Sequence, residues 1–348
     1  MLSSFYEKSG SNNLPIEFST LSVHDDINSS LNVERINYRK DRDIVISLLL
    51  PTRKRLVYLN SFIESLLKRT DVLKNIEVIM YIDEDDISTN KFIHKEITYT
   101  KITGPRLTMG EYNSVCYHFS SGRIIMLVND DVIIETNKWD SLLVHQLEKF
   151  DDEIYLAYPD DDSNHGKLST FPVLSRKTCE ALVYPYPSLY KRLFIDTHIM
   201  DVFQRLVKMS EQRIVYLENI KFLHYKLDSH FDNEESHQRS DYHDDFIFIS
   251  LRRLRESQAA RLKSVIKGDE LPSIETQVIQ KDDYTNYLNS LVCFYRNFIT
   301  DNGLSIVVRI KYFIRYAGHF FMIKTSFGMF LSKIVRVMKR HKINPVTC

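Results

Sequence analysis

The sequence lacks the marks of several large protein classes. Its 46 Lys and Arg residues balance 46 Asp and Glu residues, so the formal net charge is zero and no overall basic field attracts nucleic acid. Its four cysteines lie far apart and form no CxxC pair, which argues against a zinc site or a disulfide framework. No stretch approaches the roughly 18 uninterrupted apolar residues of a membrane-spanning helix, and the first residues lack the basic start and apolar core of a secretory signal. We therefore expect a globular cytoplasmic protein with no nucleic-acid partner.

Strand-like and helix-like patterns alternate through the middle of the chain. Residues 44–50 form a continuous apolar run that stops at Pro51, and residues 56–67 carry apolar side chains at helical spacing. Short connections between such alternating strands and helices predict a doubly wound α/β domain with a mostly parallel sheet. Further strands are predicted at 76–82, 124–128, 154–158, 170–174, 214–217 and 220–223, and helices at 109–120, 139–150, 176–182, 196–206 and 246–266. Gly122 is predicted to end the helix that starts at 109 in a left-handed cap.

Composition divides the chain into three predicted regions. Residues 1–42 mix Ser, Asn and Asp with scattered apolar positions, which predicts a peripheral arm. Residues 43–268 hold the α/β domain, and residues 269–348 form an additional helical C-terminal region. Between 304 and 342, nine Lys or Arg residues and no Asp or Glu alternate with aromatic and aliphatic side chains. This segment suits either the headgroup region of an anionic membrane or a helical cap whose basic face is solvated.

Acidic residues follow two of the predicted buried strands. Asp83 comes directly after the strand at 76–82, and Asn129, Asp130 and Asp131 come after the strand at 124–128. Open α/β sheets bind ligands beyond the carboxyl ends of their strands, so Asp83 and Asp131 are expected near one crevice. Crowded carboxylates need a cation, and hard divalent metals held by one or two carboxylates usually complete their coordination with substrate phosphates. The alternative is a turn in which Asn and Asp bond their own backbone.

Taken in order, these motifs resemble the family 2 glycosyltransferases, whose fold is of the GT-A type. The resemblance covers approximately residues 43–227, over half the chain, and depends on the order and spacing of short motifs. The matching residues are Leu50-Pro51-Thr52-Arg53, Asp83, Asn113, Asn129-Asp130-Asp131, Asp196 and His224.

The resemblance implies a hexosyltransferase that moves a sugar from a nucleotide-diphosphate sugar, expected to be UDP-linked, to a glycan or lipid-linked acceptor in surface polysaccharide or glycoconjugate synthesis. It would be peripheral on the cytoplasmic face of a membrane if residues 304–342 bind an anionic surface. The implied donor-binding residues are Pro51, Thr52, Arg53, Asp83, Arg106, Asn113, Asn129 and Asp130.

The resemblance also implies a metal site and a catalytic base. Asp131 and His224 are the implied ligands of Mn²⁺ or Mg²⁺, and an imidazole ligand favours Mn²⁺. Asp196 matches the catalytic base of inverting members, which removes the proton of the acceptor hydroxyl. Asp196 could instead simply cap its helix, with Asp201 as a substitute base. His224 could instead be an ordinary half-buried strand histidine.

Two polar segments remain. Asp160, Asp161 and His165 lie on a loop that is expected to face the acceptor. The polar residues 228–245 predict a mobile loop, and their irregularly spaced histidines make a metal cluster a weaker alternative.

Two other functions fit parts of the sequence. A sugar-phosphate nucleotidyltransferase would need a glycine-rich loop after the first strand, and residues 51–55 contain no glycine. A catalytically silent glycan- or membrane-binding protein could keep the same fold. Asn129, where the family often has Asp, and Ile195, where the family has Glu, keep that alternative open.

Overall fold

The computed structural model describes residues 30–38, 43–224, 243–275 and 287–324. The chain divides into two compact units. The first, which we call the sheet unit, consists of Glu17–Gln238 and Arg253–Thr276. The second, which we call the helical unit, consists of Met1–Ile16, Arg239–Arg252 and Gln277–Cys348.

Within the described residues, the sheet unit is built on a nine-stranded mixed sheet with the strand order β1-β4-β3-β2-β5-β8-β7-β9-β6. Strands β4, β3, β2 and β5 run parallel, as do β7 and β9, whereas β1, β6 and β8 pair antiparallel with their neighbours. The strands are β1 Asn32–Ile36, β2 Ile46–Thr52, β3 Ile76–Asp83, β4 Thr98–Gly104, β5 Ile124–Leu127, β6 Val132–Ile134, β7 Leu156–Asp160, β8 Val173–Ser175 and β9 Ile214–His224.

Helices connect these strands and continue after them. In the described residues they are α1 Leu56–Arg69, α2 Ile87–Asn90, α3 Met109–Phe119, α4 Trp139–Leu147, α5 Arg176–Leu182, α6 Ile195–Lys208, α7 His243–Ser250, α8 Arg252–Lys267, α9 Tyr287–Phe294 and α10 Ile306–Lys324. A short 3₁₀ helix spans Leu73–Asn75 and a π-helical turn spans Tyr295–Ile299.

The central strands are buried on both faces, and this explains their unbroken apolar sequences. All eight residues of β3 are buried, and in β2 only Pro51 is partly exposed. Parallel strands covered by helices on both sides read as continuous apolar runs. From α1, the side chains of Leu59, Phe62 and Leu66 pack into the same core as Leu48 and Val78. The predicted fold class, a doubly wound α/β sheet flanked by helices, is confirmed.

Some element boundaries differ from those that periodicity predicted. Strand β2 continues through Pro51, because its partner β5 pairs only as far as Leu49 and the missing proline N–H interrupts no bond on that side. Strand β1 lies inside the predicted arm and adds to the edge of the sheet by pairing with β4. The two predicted strands after 213 are one strand, β9, with a register irregularity at Asp160 of its partner. Helix α7 begins at His243, inside the predicted loop 228–245, of which residues 228–242 lie outside the described part.

The left-handed cap predicted at Gly122 is wrong. Helix α3 ends at Ser120 in an extended conformation, and Gly122 does not have a positive φ angle. Its backbone N–H donates to the hydroxyl of Ser47, 2.8 Å away, and an added Cβ would lie 2.7 Å from that same oxygen. Glycine is therefore needed here for close packing against β2.

A buried charge network joins α6 to α8. Asp201 is fully buried, and its Oδ1 accepts from Arg205 Nε and Arg255 Nε, each at 2.8 Å. Both arginines are themselves buried. The two guanidinium groups outweigh the effect of burial, which alone would raise the pKa of Asp201, so that its pKa is lowered. Asp201 is thus buried and paired within the core, which does not favour the alternative that it serves as the catalytic base.

The helical unit packs around aromatic rings. The ring of Tyr316 stacks on Phe248 at 5.4 Å and on Phe298 at 4.8 Å, and Phe294 meets Phe320 edge-on. An ion pair between His319 Nδ1 and Asp245 Oδ1, 2.8 Å apart, joins α10 to α7. Within the residues described, no helix is both long enough and apolar enough to cross a bilayer.

The first prediction concerns the Asp201 network. Replacing Asp201 by Ala should leave two buried arginines without their shared carboxylate and lower the free energy of unfolding by about 3–5 kcal/mol. Urea denaturation followed by circular dichroism measures this loss. As a matched control, Asp151→Ala on the exposed surface should change the same quantity by less than about 0.5 kcal/mol. Equal effects of the two substitutions would contradict the stabilising role of the network.

Candidate active site

The carboxyl ends of β2, β3 and β5 bring the predicted donor and metal residues to one edge of the sheet. The register pairs Thr52 of β2 with Ile82 of β3, and Leu49 with Leu127 of β5. The residues that follow these strands therefore leave the sheet side by side, where open α/β folds bind ligands.

The loop between β2 and α1 turns two arginines toward two different acidic groups. Lys54 has a φ angle of 54°, in the left-handed region, so the side chains before and after it diverge. Arg53 forms salt bridges with Asp83 and with Asp85. Arg55 donates to Asp130 and to Asp131, and the N–H of Lys54 donates to Asp86.

Asp83 is a buried carboxylate with two partners. Besides Arg53, the hydroxyl of Tyr112 on α3 donates to Asp83 Oδ1 at 2.5 Å. Burial and the hydrogen bond to Asp83 raise the pKa of Tyr112 well above its usual value. Tyr112 therefore stays protonated and serves as a donor to Asp83 at neutral pH.

Asp130 is a second buried carboxylate of the edge. Its Oδ2 accepts from the Thr52 hydroxyl at 2.7 Å, and its Oδ1 accepts from Arg55 Nη1 at 2.7 Å. Its side chain is only 5% exposed. Burial nevertheless outweighs both partners and raises the pKa of Asp130 from 3.8 to about 6. Removal of this carboxylate from water is thus the largest of the effects that set the pKa of Asp130.

Asp131 lies beside His224, which comes from the end of β9. The two meet because Val132, the first residue of β6, pairs with His224 in the antiparallel ladder of β6 and β9. His224 Nδ1 is 3.7 Å from Asp131 Oδ1, and Arg55 Nη2 donates to Asp131 Oδ2 at 3.1 Å. Burial alone would raise the pKa of Asp131, but His224 and Arg55 favour the carboxylate and lower it.

One carboxylate oxygen of the Asp131–His224 pair has no hydrogen-bond donor among the described residues. Asp131 Oδ1 is buried and accepts no hydrogen bond from the described residues. Two ligand atoms that bind the same Mn²⁺ or Mg²⁺ ion, each at about 2.1 Å, can be separated by at most about 4.2 Å. The 3.7 Å between Asp131 Oδ1 and His224 Nδ1 satisfies this limit. A carboxylate oxygen and an imidazole nitrogen are also a donor set that Mn²⁺ accepts, so these residues fit a divalent ion.

A second acidic group lies at the end of β7. In the described residues, ligand atoms of Asp160, Asp162 and His165 lie within 4.8 Å of one another and could hold a metal ion. Asp160 is buried, whereas Asp162 and His165 are exposed. The sequence assigned Asp160 and His165 to the acceptor side, and it did not single out Asp162.

Asp161 has a structural task in the same loop. Its carboxylate accepts from the backbone N–H groups of Ser163 and Asn164 and from the hydroxyl of Thr170. These bonds lower its pKa although burial opposes them. The loop is further fixed where Gly166, at a φ angle of 75°, lies against the ring of Tyr216.

Asp196 is half-buried at the first turn of α6. Its Oδ1 accepts from the backbone N–H and the hydroxyl of Thr197, and its own carbonyl accepts from Ser169. The Ncap residue of this helix is Phe194, so Asp196 does not occupy the capping position itself. Phe171, two residues after Ser169, contacts the His224 ring with a centroid distance of 5.1 Å. A short segment therefore links Asp196 to the Asp131–His224 pair.

The remaining predicted donor residues differ in exposure. Asn129 and Arg106 are exposed, and Pro51 is half-buried. Asn113 is buried on α3, and its side-chain amide donates to the carbonyl of Met109 at 2.9 Å.

Sequence motifs did not identify three residues of this region. Arg55 and Tyr112 contact predicted carboxylates, and Asp162 lies beside Asp160. None of the three belongs to a motif of the resembled family. The basic run at 53–55 signals a cation for the acidic strand ends. It does not reveal that Lys54 reverses the chain so that Arg55, rather than Arg53, contacts Asp130.

A cavity of about 270 Å³ lies at the opposite, amino edge of the sheet. Its walls include Ile46 and Ile76, the first residues of β2 and β3, together with Asp140 and His145 of α4. None of the predicted site residues lines it, so it does not belong to the carboxylate edge.

No protein-family model matches the sequence, and no curated protein matches it. Among solved structures, the chain is similar to the mannosyltransferase PcManGT from Pyrobaculum calidifontis in complex with GDP-Man and Mn²⁺. That alignment has 10% identity and a TM-score of 0.43, and covers 87% of this chain and 82% of the other.

The chain is also similar to S. aureus TarS. TarS 1–349 in complex with UDP-GlcNAc aligns with 10% identity and a TM-score of 0.48, over 82% of this chain and 91% of the other. A further S. aureus TarS structure aligns with 11% identity and a TM-score of 0.47, over 80% of this chain but 53% of the other. At such low identity and TM-score, the likeness carries no inference about the donor, metal or acceptor of this chain.

The second prediction concerns the pH dependence that Asp130 causes. Its pKa is higher in the folded chain, about 6, than the ordinary 3.8, so the folded state holds a proton that the unfolded state has lost between these values. Stability contributed by Asp130 should therefore fall as pH rises from about 4 to about 6, by about 3 kcal/mol. Asp130→Asn removes this titration.

The measurement compares the two proteins in the presence of a chelator. The unfolding free energy of the wild type, relative to that of Asp130→Asn, should decrease between pH 4 and pH 7. Asp131, whose pKa is lowered, contributes with the opposite sign and only as pH falls below its ordinary value of 3.8. A difference that stays constant or grows with pH would contradict the burial of Asp130.

Proposed function

We propose that this chain is a metal-dependent glycosyltransferase that transfers a sugar from a nucleotide-diphosphate sugar to a glycan or lipid-linked acceptor. The observation that carries the proposal is the meeting of Asp131 and His224 at 3.7 Å, with a buried carboxylate oxygen that no hydrogen bond satisfies. The two residues belong to distant stretches of the chain and correspond to the motif positions where family 2 glycosyltransferases hold their metal.

The arrangement around this pair supports binding of a nucleoside diphosphate. Asp131 and His224 would hold Mn²⁺ or Mg²⁺, which when bound neutralises charge on the departing diphosphate. Arg53 and Asp83, next to the pair on the same edge, are the proposed contacts of the nucleoside, which we expect to be uridine. Thr52, Asn129 and Asp130 complete the proposed donor side, with Pro51, Arg106 and Asn113 as further donor contacts.

Asp196 is the proposed base of the transfer. A carboxylate there would take the proton of the acceptor hydroxyl as its oxygen attacks the anomeric carbon opposite the diphosphate, which gives inversion. Support comes from its partial exposure and its link to His224 through Ser169 and Phe171. Asp160 and His165 are proposed to face the acceptor, whereas the bonds of Asp161 suit a role in fixing that loop.

We further propose that the protein works at an anionic surface on the cytoplasmic face of a membrane. Helix α10 exposes four aliphatic side chains on one face, namely Ile306, Val307, Ile310 and Ile314. Lys311 and Arg315 border this face, and the helix contains no acidic residue. Apolar side chains with basic neighbours match the boundary between acyl chains and anionic headgroups. Residues 325–342, the rest of the predicted basic segment, lie outside the described part.

The third prediction separates the two groups that could bind metal. Calorimetric titration with MnCl₂ in the presence of UDP should detect one site in the wild type. Asp131→Asn and His224→Gln should each weaken Mn²⁺ binding by at least about 10-fold, since each removes one ligand. The matched pair Asp162→Asn and His165→Gln should leave Mn²⁺ affinity within about twofold, because those side chains belong to the other acidic group.

If only Asp162→Asn and His165→Gln lose Mn²⁺ binding, the metal site is at the end of β7 and the assignment to Asp131 and His224 is wrong. Turnover of a panel of nucleotide sugars with Mn²⁺ then tests the activity itself. Metal-dependent hydrolysis or transfer that disappears in Asp131→Asn is the expected result. Mn²⁺ and UDP binding without turnover of any donor would favour the catalytically silent alternative.

The fourth prediction concerns the exposed face of α10. In co-sedimentation with vesicles that contain anionic lipid, Ile310→Asp together with Ile314→Asp should reduce the bound fraction several-fold, because each change removes apolar contact and adds repulsion. Ile93→Asp is the control, since Ile93 is also exposed but belongs to the sheet unit and lies outside any basic helix. Equal vesicle binding by wild type and the double variant would contradict the membrane proposal.

A further inference from the structure

Arg55 is placed between the two carboxylates that follow β5. Its Nη1 is 2.7 Å from Asp130 Oδ1 and its Nη2 is 3.1 Å from Asp131 Oδ2. The guanidinium carbon lies 4.3 Å from the centre of the Tyr58 ring, a cation–π contact that restrains the plane of the group. The single positive charge of Arg55 is thus shared between Asp130 and Asp131.

The two contacts of Arg55 differ in how easily they can be given up. Asp130 is almost fully buried, and a buried carboxylate without its partner is costly, so this contact should persist. Asp131 is 27% exposed, and its hydrogen bond to Arg55 is the longer of the two. Asp131 also faces His224 with its other oxygen, so the contact with Arg55 is the one that ligand binding can replace.

Charge at the edge changes with the ligand. Asp130 and Asp131 together with Arg55 leave one net negative charge when Asp130 is ionised. A bare divalent ion at Asp131 and His224 would stand close to the guanidinium and be repelled by it. A diphosphate brings the compensating negative charge, and a planar guanidinium binds phosphate oxygens in a forked geometry.

We propose that Arg55 couples the metal to the diphosphate of the donor. It opposes a bare divalent ion at Asp131, and when metal and nucleoside diphosphate arrive together its Nη2 leaves Asp131 for the phosphate oxygens while Nη1 keeps Asp130. Arg55 is therefore a donor-positioning residue that makes the two ligands bind cooperatively. This inference rests on the proposed function, because it requires the metal site at Asp131 and His224.

The experiment measures Mn²⁺ binding to the full chain by calorimetry, without nucleotide and with saturating UDP, and UDP binding with saturating Mn²⁺. In Arg55→Gln, affinity for Mn²⁺ alone should rise by about 10-fold, because the opposing charge is gone. Affinity for UDP in the presence of Mn²⁺ should fall by about 10-fold, because the phosphate contact is lost. A residue that only supports the fold would weaken both, so the opposite signs are diagnostic.

Two further variants complete the test. Arg55→Lys keeps the positive charge but loses the forked guanidinium geometry. The affinity of this variant for Mn²⁺ alone should therefore stay within about threefold of the wild type, while its affinity for UDP weakens. Arg213→Gln removes an arginine just before β9 that is paired with Asp152, outside the proposed site, and should not change the affinity for Mn²⁺ alone. Circular dichroism and thermal melting of each variant verify folding, and Arg55→Lys carries the test if Arg55→Gln does not fold.

The outcomes distinguish this inference from the proposed function. If Mn²⁺ binds in a manner that depends on Asp131 and His224 but Arg55→Gln leaves or lowers the affinity for Mn²⁺ alone, the coupling role of Arg55 is wrong and the proposed function stands. If the wild type binds no Mn²⁺ with or without UDP, the metal-dependent function fails, and the inference fails with it.

Discussion

Negative charge gathered at one edge of a buried sheet is the constraint on which the rest of this site depends. Asp83 and Asp130 are buried at the ends of parallel strands, with Asp131 beside them. Burying a carboxylate disfavours its charged form, and the raised pKa of Asp130 records that cost. The chain offsets it with Arg53 and Arg55, both from the loop that follows β2.

The negative charge is not fully compensated at Asp131, and this leaves a carboxylate oxygen at the edge that is available to a ligand. Every other carboxylate oxygen described at Asp83 and Asp130 has a hydrogen-bond donor, whereas Asp131 Oδ1 has none in the described part of the chain. It faces an imidazole that a separate strand supplies. Asp131 directly precedes β6 and His224 ends β9, so the pairing of these two strands holds the two groups next to each other.

The second acidic group, at Asp160, Asp162 and His165, is built differently. Two of its three side chains are exposed, and they project from a loop that contains left-handed residues at 162, 165 and 166. The carboxylate of Asp161 accepts hydrogen bonds from the backbone of this loop and so fixes the shape of the loop. Exposed acidic side chains on a loop are well hydrated and need no ion, and for this reason we propose the pair at Asp131, rather than this group, as the metal site.

Periodicity in the sequence was enough to predict the α/β class, because strands buried on both faces leave continuous apolar runs such as those of β2 and β3. It was not enough for β1 or β6, which are short strands at the edges of the sheet and carry no such run. The juxtaposition of Asp131 with His224 was predicted from a family resemblance, since no local pattern encodes the pairing of β6 with β9. The contacts of Arg55 with Asp130 and Asp131 could not be predicted, because they depend on one left-handed residue, Lys54, in a loop without glycine.

The assignment of Asp131 and His224 as shared ligands is the central claim. The most direct test is an anomalous difference map from crystals soaked with MnCl₂ and UDP, recorded near the manganese absorption edge. The account predicts one strong peak within coordination distance of both Asp131 Oδ1 and His224 Nδ1. A peak at Asp160, Asp162 and His165 instead, or no peak at Asp131, would contradict it.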